Sequence, residues 1–243
     1  MMNRDKIKIT TVQMCSIQGN ICDNLQLVRE LCQSASIQNT KVICFPELAI
    51  PGAGAENADL SLYDSSDYVP GVITNKLSEI AKDWGLYIVI GVSQRSRIPG
   101  RLFNTLVVFS PEGKIKEIYQ KINLEGKELL YWKSSITKEL KYVDFPFGKA
   151  GFLLGTDVND EEIIQRIKEK NIKMIFIPSH HEKKSKIDKE RLRKVARETG
   201  AYLFVPDNTE SLILSPKGRI LAESQFRDEM VDVELERKLL KEN

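Results

Sequence analysis

Histidine is almost missing from this chain, and cysteine is confined to its beginning. Only two histidines, His180 and His181, occur in 243 residues, and the four cysteines, Cys15, Cys22, Cys32 and Cys44, all precede residue 45. No two cysteines form a Cys-x-x-Cys pair and none neighbours a histidine. That spacing argues against a zinc site and against a disulfide framework, and it suits a reducing compartment. An excess of either charge is also missing: 36 Lys+Arg stand against 34 Asp+Glu, a net charge of +2. The balance gives no electrostatic case for nucleic acid or an anionic membrane as partner. No apolar run is long enough to span a bilayer. Arg4, Asp5, Lys6 and Lys8 lead straight into a strand, so no signal peptide is expected and a cytoplasmic location is the default. The chain also lacks repeats, low-complexity segments and linkers, and its length suits one domain over residues 1–243.

What is present is an orderly succession of short elements. Residues 7–13 alternate and are β-branched, which predicts a strand. Leu25, Val28, Leu31 and Cys32 recur at helical spacing over 20–36, with Asp23 in the first turn. A strand over 42–45 ends in Cys44-Phe45-Pro46-Glu47-Leu48, where Pro46 removes a backbone donor and places Glu47 at the strand's C-terminal end. Residues 49–70 read as irregular, 74–83 as a helix capped near Thr74, and 86–93 as a buried strand. Residues 103–110 and 114–119, around Pro111-Glu112-Gly113, predict a hairpin, with Lys121 just beyond it. Residues 122–141 are polar and mixed. Strands follow at 141–145, 150–154 and 173–177, a helix at 161–170 with charges disposed as its dipole favours, and a helix at 188–199 stopped by Gly200. Strands at 202–205, 211–214, 219–222 and 230–233 and a short tail over 234–240 complete the chain. Hairpins and strand–helix alternations together predict an α/β protein of layered type, a four-layer α-β-β-α sandwich.

Four spots stand out in order: Glu47 in Phe45-Pro46-Glu47-Leu48; Lys121 after the hairpin; Glu128 in Gly126-Lys127-Glu128; and Gly155-Thr156-Asp157 after the strand over 150–154. With Val12-Gln13-Met14, Pro70-Gly71, Phe103-Asn104-Thr105, Ile177-Pro178-Ser179 and Ser215-Pro216-Lys217-Gly218, they resemble the nitrilase superfamily of carbon–nitrogen hydrolases over nearly the whole chain. The resemblance implies an active site of Glu, Lys and Cys. The thiolate attacks an amide or nitrile carbon, the Glu carries protons and the ammonium stabilises the oxyanion. Carried over, Glu47 is the proton carrier, Lys121 the oxyanion cation and Glu128 a supporting carboxylate. No cofactor and no metal are expected. The resemblance also implies self-association as a homodimer or higher homo-oligomer, through helices flanking the active-site strands.

The chain departs from the family pattern at the nucleophile. Anchored on Asp157, the cysteine position is Gly155, which has no side chain with which to form an acyl-enzyme. Cys44 lies within a strand three residues from Glu47 and reads as a small buried apolar residue. Thr156 is the alternative nucleophile at that turn. His180 and Asp157 are expected to line the pocket, His180 bringing a titratable group to it, although as loop residues the two histidines read as partly exposed and no third metal ligand is in view. Arg191, Arg193, Arg197 and Glu198 read as a solvated helix face or a subunit contact. The leading expectation is a non-hydrolytic homologue that binds a small amide- or carboxylate-like ligand. The alternatives are an active amide hydrolase using another nucleophile such as Thr156, and a scaffold subunit that pairs with an active relative.

Overall fold

A computed structural model describes residues 5–52, 60–181, 187–224 and 226–241. Alternation decides the architecture. In β2 (Thr40–Cys44), Val42 and Cys44 join one apolar cluster, while Ile43 and the following Phe45 join another. A strand whose two faces are both apolar must be covered on both sides. β2 lies between β1 (Lys6–Val12) and β3 (Tyr87–Arg95), parallel to both. β4 (Leu102–Phe109) and β5 (Ile115–Gln120) extend this sheet as antiparallel hairpin strands. The last strand of the chain, β12 (Met230–Glu236), closes the other edge by pairing antiparallel with β1, from Lys6↔Glu236 to Val12↔Met230.

The second sheet repeats the plan. β7 (Gly148–Phe152), β8 (Met174–Phe176) and β9 (Tyr202–Val205) are parallel. β6 (Tyr142–Phe145), β10 (Leu212–Leu214) and β11 (Ile220–Glu223) are antiparallel additions, giving the order β11-β10-β9-β8-β7-β6. The apolar cluster containing Val42, Cys44 and Val89 of the first sheet also contains Phe152, Phe176 and Phe204 of the second, so it lies between the sheets. Phe152, Phe176 and Phe204 are stacked in succession, with centroids 6.0 and 4.9 Å apart.

Helices cover the outer faces. α1 (Ile21–Ile37) buries Leu25, Val28, Leu31, Cys32 and Ala35, and the Asn20 side chain caps it by accepting from the Asp23 amide. A short helix, α2 (Leu60–Asp64), interrupts the stretch expected to be irregular. α3 (Val72–Trp84) packs beside α1 on the first sheet; Thr74 Oγ1 accepts from the Gly71 amide at its start. A single helical turn, α4 (Glu128–Tyr131), lies in the stretch read as polar and mixed. α5 (Glu161–Glu169) and α6 (Lys189–Thr199) bury Ile163, Ile164, Ile167, Leu192 and Val195 against the second sheet. α6 is capped by Asp188 and stopped by left-handed Gly200. α7 (Arg237–Lys241) ends the described chain. The molecule is the layered α/β sandwich that the element order predicts. No helix among the described residues is long and apolar enough to cross a membrane. Residues 53–59 of the stretch expected to be irregular lie outside the described residues.

Candidate functional site

The parallel strands of both sheets bring the C-terminal ends of β2, β7, β8 and β9 together, the end of a parallel sheet where α/β proteins collect ligands. Backbone hydrogen bonds tie the four ends: Glu47 N–H to Ser179 O at 3.3 Å, Gly155 N–H to Pro178 O at 2.9 Å, and Ser179 N–H to Pro206 O at 2.9 Å. Glu47 can turn inward because β3 carries a glycine beneath it. A Cβ on Gly91 would stand 2.4 Å from Leu48 N and 2.7 Å from Pro46 O, so any side chain there would push the turn away.

Glu47 and Lys121 are both buried, and Lys121 Nζ donates to Glu47 Oε1 at 2.7 Å and to Glu128 Oε1 at 2.6 Å. Asn104 connects the pair. Its Nδ2 donates to Glu47 Oε1 at 2.6 Å, and its carbonyl accepts the Lys121 amide at 2.8 Å. Burial works against the ammonium, yet the charges of Glu47 and Glu128 outweigh it and hold Lys121 above the ordinary lysine range. Burial, followed by the Glu47 charge, raises Glu128, and Lys121 opposes the rise. Glu128 stands at the start of α4, and its Oε2 accepts the Glu125 amide at 3.0 Å.

Gly155 opens a 3₁₀ turn, Gly155–Asn159, with φ +46°. A Cβ there would lie 2.8 Å from Glu47 Oε2 and 3.1 Å from Lys121 Nζ. Position 155 therefore faces the carboxylate and the ammonium directly, with only backbone to offer them. Thr156 also reaches the cavity wall, but its hydroxyl donates to Asn123 O at 2.6 Å. Asp157 is fully buried and is not among the cavity-lining residues, in contrast to its expected place in the pocket wall. Tyr119 Oη donates to its Oδ2 at 2.7 Å, and the Asn123 amide donates to its Oδ1 at 2.7 Å. Burial pushes Asp157 up to about 6 against these hydrogen bonds.

Glu47, Lys121, Glu128, Gly155 and Thr156 border a cavity of about 660 Å³ that Trp132, His180 and His181 also line. Burial holds the His180 imidazole below its ordinary range. His181 behaves in the opposite way. Burial disfavours its charge, but Asp207 Oδ2, 2.7 Å from Nδ1 and fully buried, raises its pKa. Asn208 fixes the backbone of His181 from both sides, at 2.9 Å each. Sequence reading did not find Asn104, Tyr119 or the His181–Asp207 pair as site residues. The Phe103-Asn104-Thr105 motif was the only signal for any of them. Arg191 departs from the expected solvated face: its side chain is nearly buried, lines the cavity and donates to Val158 O at 2.7 and 3.0 Å. None of the four cysteines lines the cavity. Cys32 and Cys44 are fully buried in apolar clusters, and burial pushes both thiols up, away from the reactive thiolate.

A family model for carbon-nitrogen hydrolases matches residues 8–242. The chain is 26% identical over 184 residues to omega-amidase NIT2 of Homo sapiens, a match covering 73% of this chain and 64% of the human protein's own length. It is 24% identical over 257 residues to omega-amidase NIT2-A of Xenopus laevis, covering 98% of this chain and 91% of that protein. Among solved structures it resembles the amidase of Nesterenkonia sp. AN1. A variant of that enzyme with the acetamide moiety of fluoroacetamide covalently added at the active-site cysteine aligns with a TM-score of 0.86 at 18% identity, covering 99% of this chain and 95% of that one. A variant of it in complex with butyramide aligns with a TM-score of 0.84 at 19% identity, covering 96% and 92%. At such identities the structural likeness speaks for the fold alone.

Proposed function

The chain belongs to the carbon-nitrogen hydrolase family, and from that premise we propose that its cavity binds a small amide- or carboxylate-like molecule without hydrolysing it. One observation carries the reading. The point where a side chain at 155 would meet Glu47 Oε2 and Lys121 Nζ, at 2.8 and 3.1 Å, is held by a glycine. Covalent catalysis on an acyl carbon needs a nucleophile beside its base, and no cysteine lines this cavity. The groups that remain suit recognition. Lys121 and Asn104 both donate to Glu47 Oε1, so Oε2 is left to face the cavity as an acceptor. Two of the three ammonium protons of Lys121 go to Glu47 and Glu128, which leaves one donor. An acceptor beside a donor complements the N–H and C=O edge of a primary amide, or the O–H and C=O edge of a carboxylic acid.

The Thr156 hydroxyl, committed to Asn123 O, has no base taking its proton and argues against a threonine-based hydrolase. The Nesterenkonia amidase supplies two probes, butyramide and fluoroacetamide. Butyramide should bind this chain saturably and be recovered unchanged, and Glu47→Gln should weaken that binding. Release of ammonia from butyramide by the wild-type protein, above the level of Lys121→Met, would overturn the reading.

A further inference from the structure

Lys121 stands where its strand has just ended. β5 stops at Gln120, and the amides of Ile122 and Asn123 run beyond the ladder. Buried backbone amides must find acceptors elsewhere. Both find the same one, Asp157 Oδ1, at 3.2 Å from Ile122 N and 2.7 Å from Asn123 N. The neighbouring contact reinforces it, since Thr156 Oγ1 donates to Asn123 O at 2.6 Å. Asp157 comes from the 3₁₀ turn that follows β7 in the second sheet, whereas Lys121 follows β5 in the first. The same turn thus presents the bare backbone of Gly155 to Lys121 and, two residues on, grips the chain next to Lys121. On its other side Lys121 is held by Asn104 O.

We infer that Asp157 is a positioning residue, whose Oδ1 fixes the Lys121 ammonium against Glu47 and the open point above Gly155. The inference deepens the proposed function, since it rests on Lys121 belonging to the ligand site. Oδ1 and Oδ2 divide the work. Among the described residues, Oδ2 meets the Tyr119 hydroxyl and, at a longer 3.3 Å, the Ile122 amide. A hydroxyl can donate or accept, so a protonated Oδ2, or the amide nitrogen of an asparagine, can be accommodated while Oδ1 keeps its two amides. The charged groups acting on Asp157 and Tyr119 are Lys121, Asp160 and Glu47. None of them donates to Oδ1. The clamp therefore depends on an oxygen at that position more than on a charge.

Asp157→Ala and Asp157→Asn separate positioning from simple support of the fold. The readouts are the protected Lys121 ammonium signal in ¹H–¹⁵N spectra, exchange of the Asn123 amide, and butyramide affinity. In Asp157→Ala the ammonium signal should be lost, and affinity should fall by about tenfold or more, the scale of one charge-assisted hydrogen bond. Exchange at Asn123 should accelerate. Asp157→Asn should restore all three. A folded Asp157→Ala protein with the Lys121 signal and Asn123 exchange unchanged would overturn the inference. If Asp157→Ala does not fold, Asp157→Leu fills a similar volume without an acceptor and is judged by the same two spectra. Failure of butyramide to bind the wild-type protein counts against the ligand reading, while the Lys121 signal still decides the positioning role.

Discussion

Lys121 sits between two carboxylates, and a single substitution there tests how a buried pair behaves when one side is removed. Lys121→Met leaves Glu47 buried with no cation, and breaking a buried pair from one side costs about 3–5 kcal/mol. Urea denaturation should show a loss of that order, and Glu128→Gln, at the more exposed edge, should lose less. The two histidines give a second prediction. They are the chain's only ones, so an imidazole NMR titration has two signals, and their midpoints should fall on opposite sides of 6.5, His181 above and His180 below. The linked stabilities have opposite signs. The His181 contribution is full below 6.5 and is lost as pH rises through its folded pKa, whereas that of His180 is present above 6.5 and is lost as pH falls through its own. Asp207→Asn should bring the His181 midpoint down, because the strongest of the contributions that oppose burial is then removed. At this scale the sequence showed Glu47, Lys121, Glu128 and the glycine at 155, because short motifs hold them in order. His181 and Asp207, 26 residues apart on different strand ends, belong to no common motif. Asp157 reads as a pocket residue from its place beside Gly155, but a 3₁₀ turn rotates it into the core.

Between elements, the decisive contact is backbone on backbone. Gly91→Ala would place a methyl group 2.4 Å from Leu48 N, inside the turn that delivers Glu47. Overpacking of this kind costs about 1–3 kcal/mol. The variant should lose stability in urea and bind butyramide more weakly, because Glu47 must move with its turn. The continuous apolar run over 86–93 was enough to predict a buried strand. The need for glycine within it became visible only when the β2 turn was seen to cross it. Helices with a cap and an apolar stripe, such as α6 with Asp188 and Gly200, were legible from sequence. The single turns of α2 and α4 were not, because four or five residues carry too little periodicity. Nor does local pattern place β12 beside β1, since that pairing joins opposite ends of the described chain.

The whole molecule explains how the cavity keeps its shape with a glycine at 155. Two sheets packed through a shared apolar core bring four strand ends to one cavity, and hydrogen bonds from Glu47, Gly155 and Ser179 lock those ends without help from any side chain at 155. Gly155→Cys should therefore fold. It should lose about 1–2 kcal/mol for a side chain at φ +46°, and it should gain reactivity toward fluoroacetamide, whose acetamide moiety is found added to the active-site cysteine in a variant of the Nesterenkonia amidase. The proposed function requires that the wild-type cavity hold no working nucleophile. Intact-mass measurement after fluoroacetamide treatment, with peptide mapping to separate the exposed Cys22 from the cavity, tests it most directly. No modification is expected within residues 150–160 of the wild-type protein. A covalent adduct mapped to that segment would contradict it.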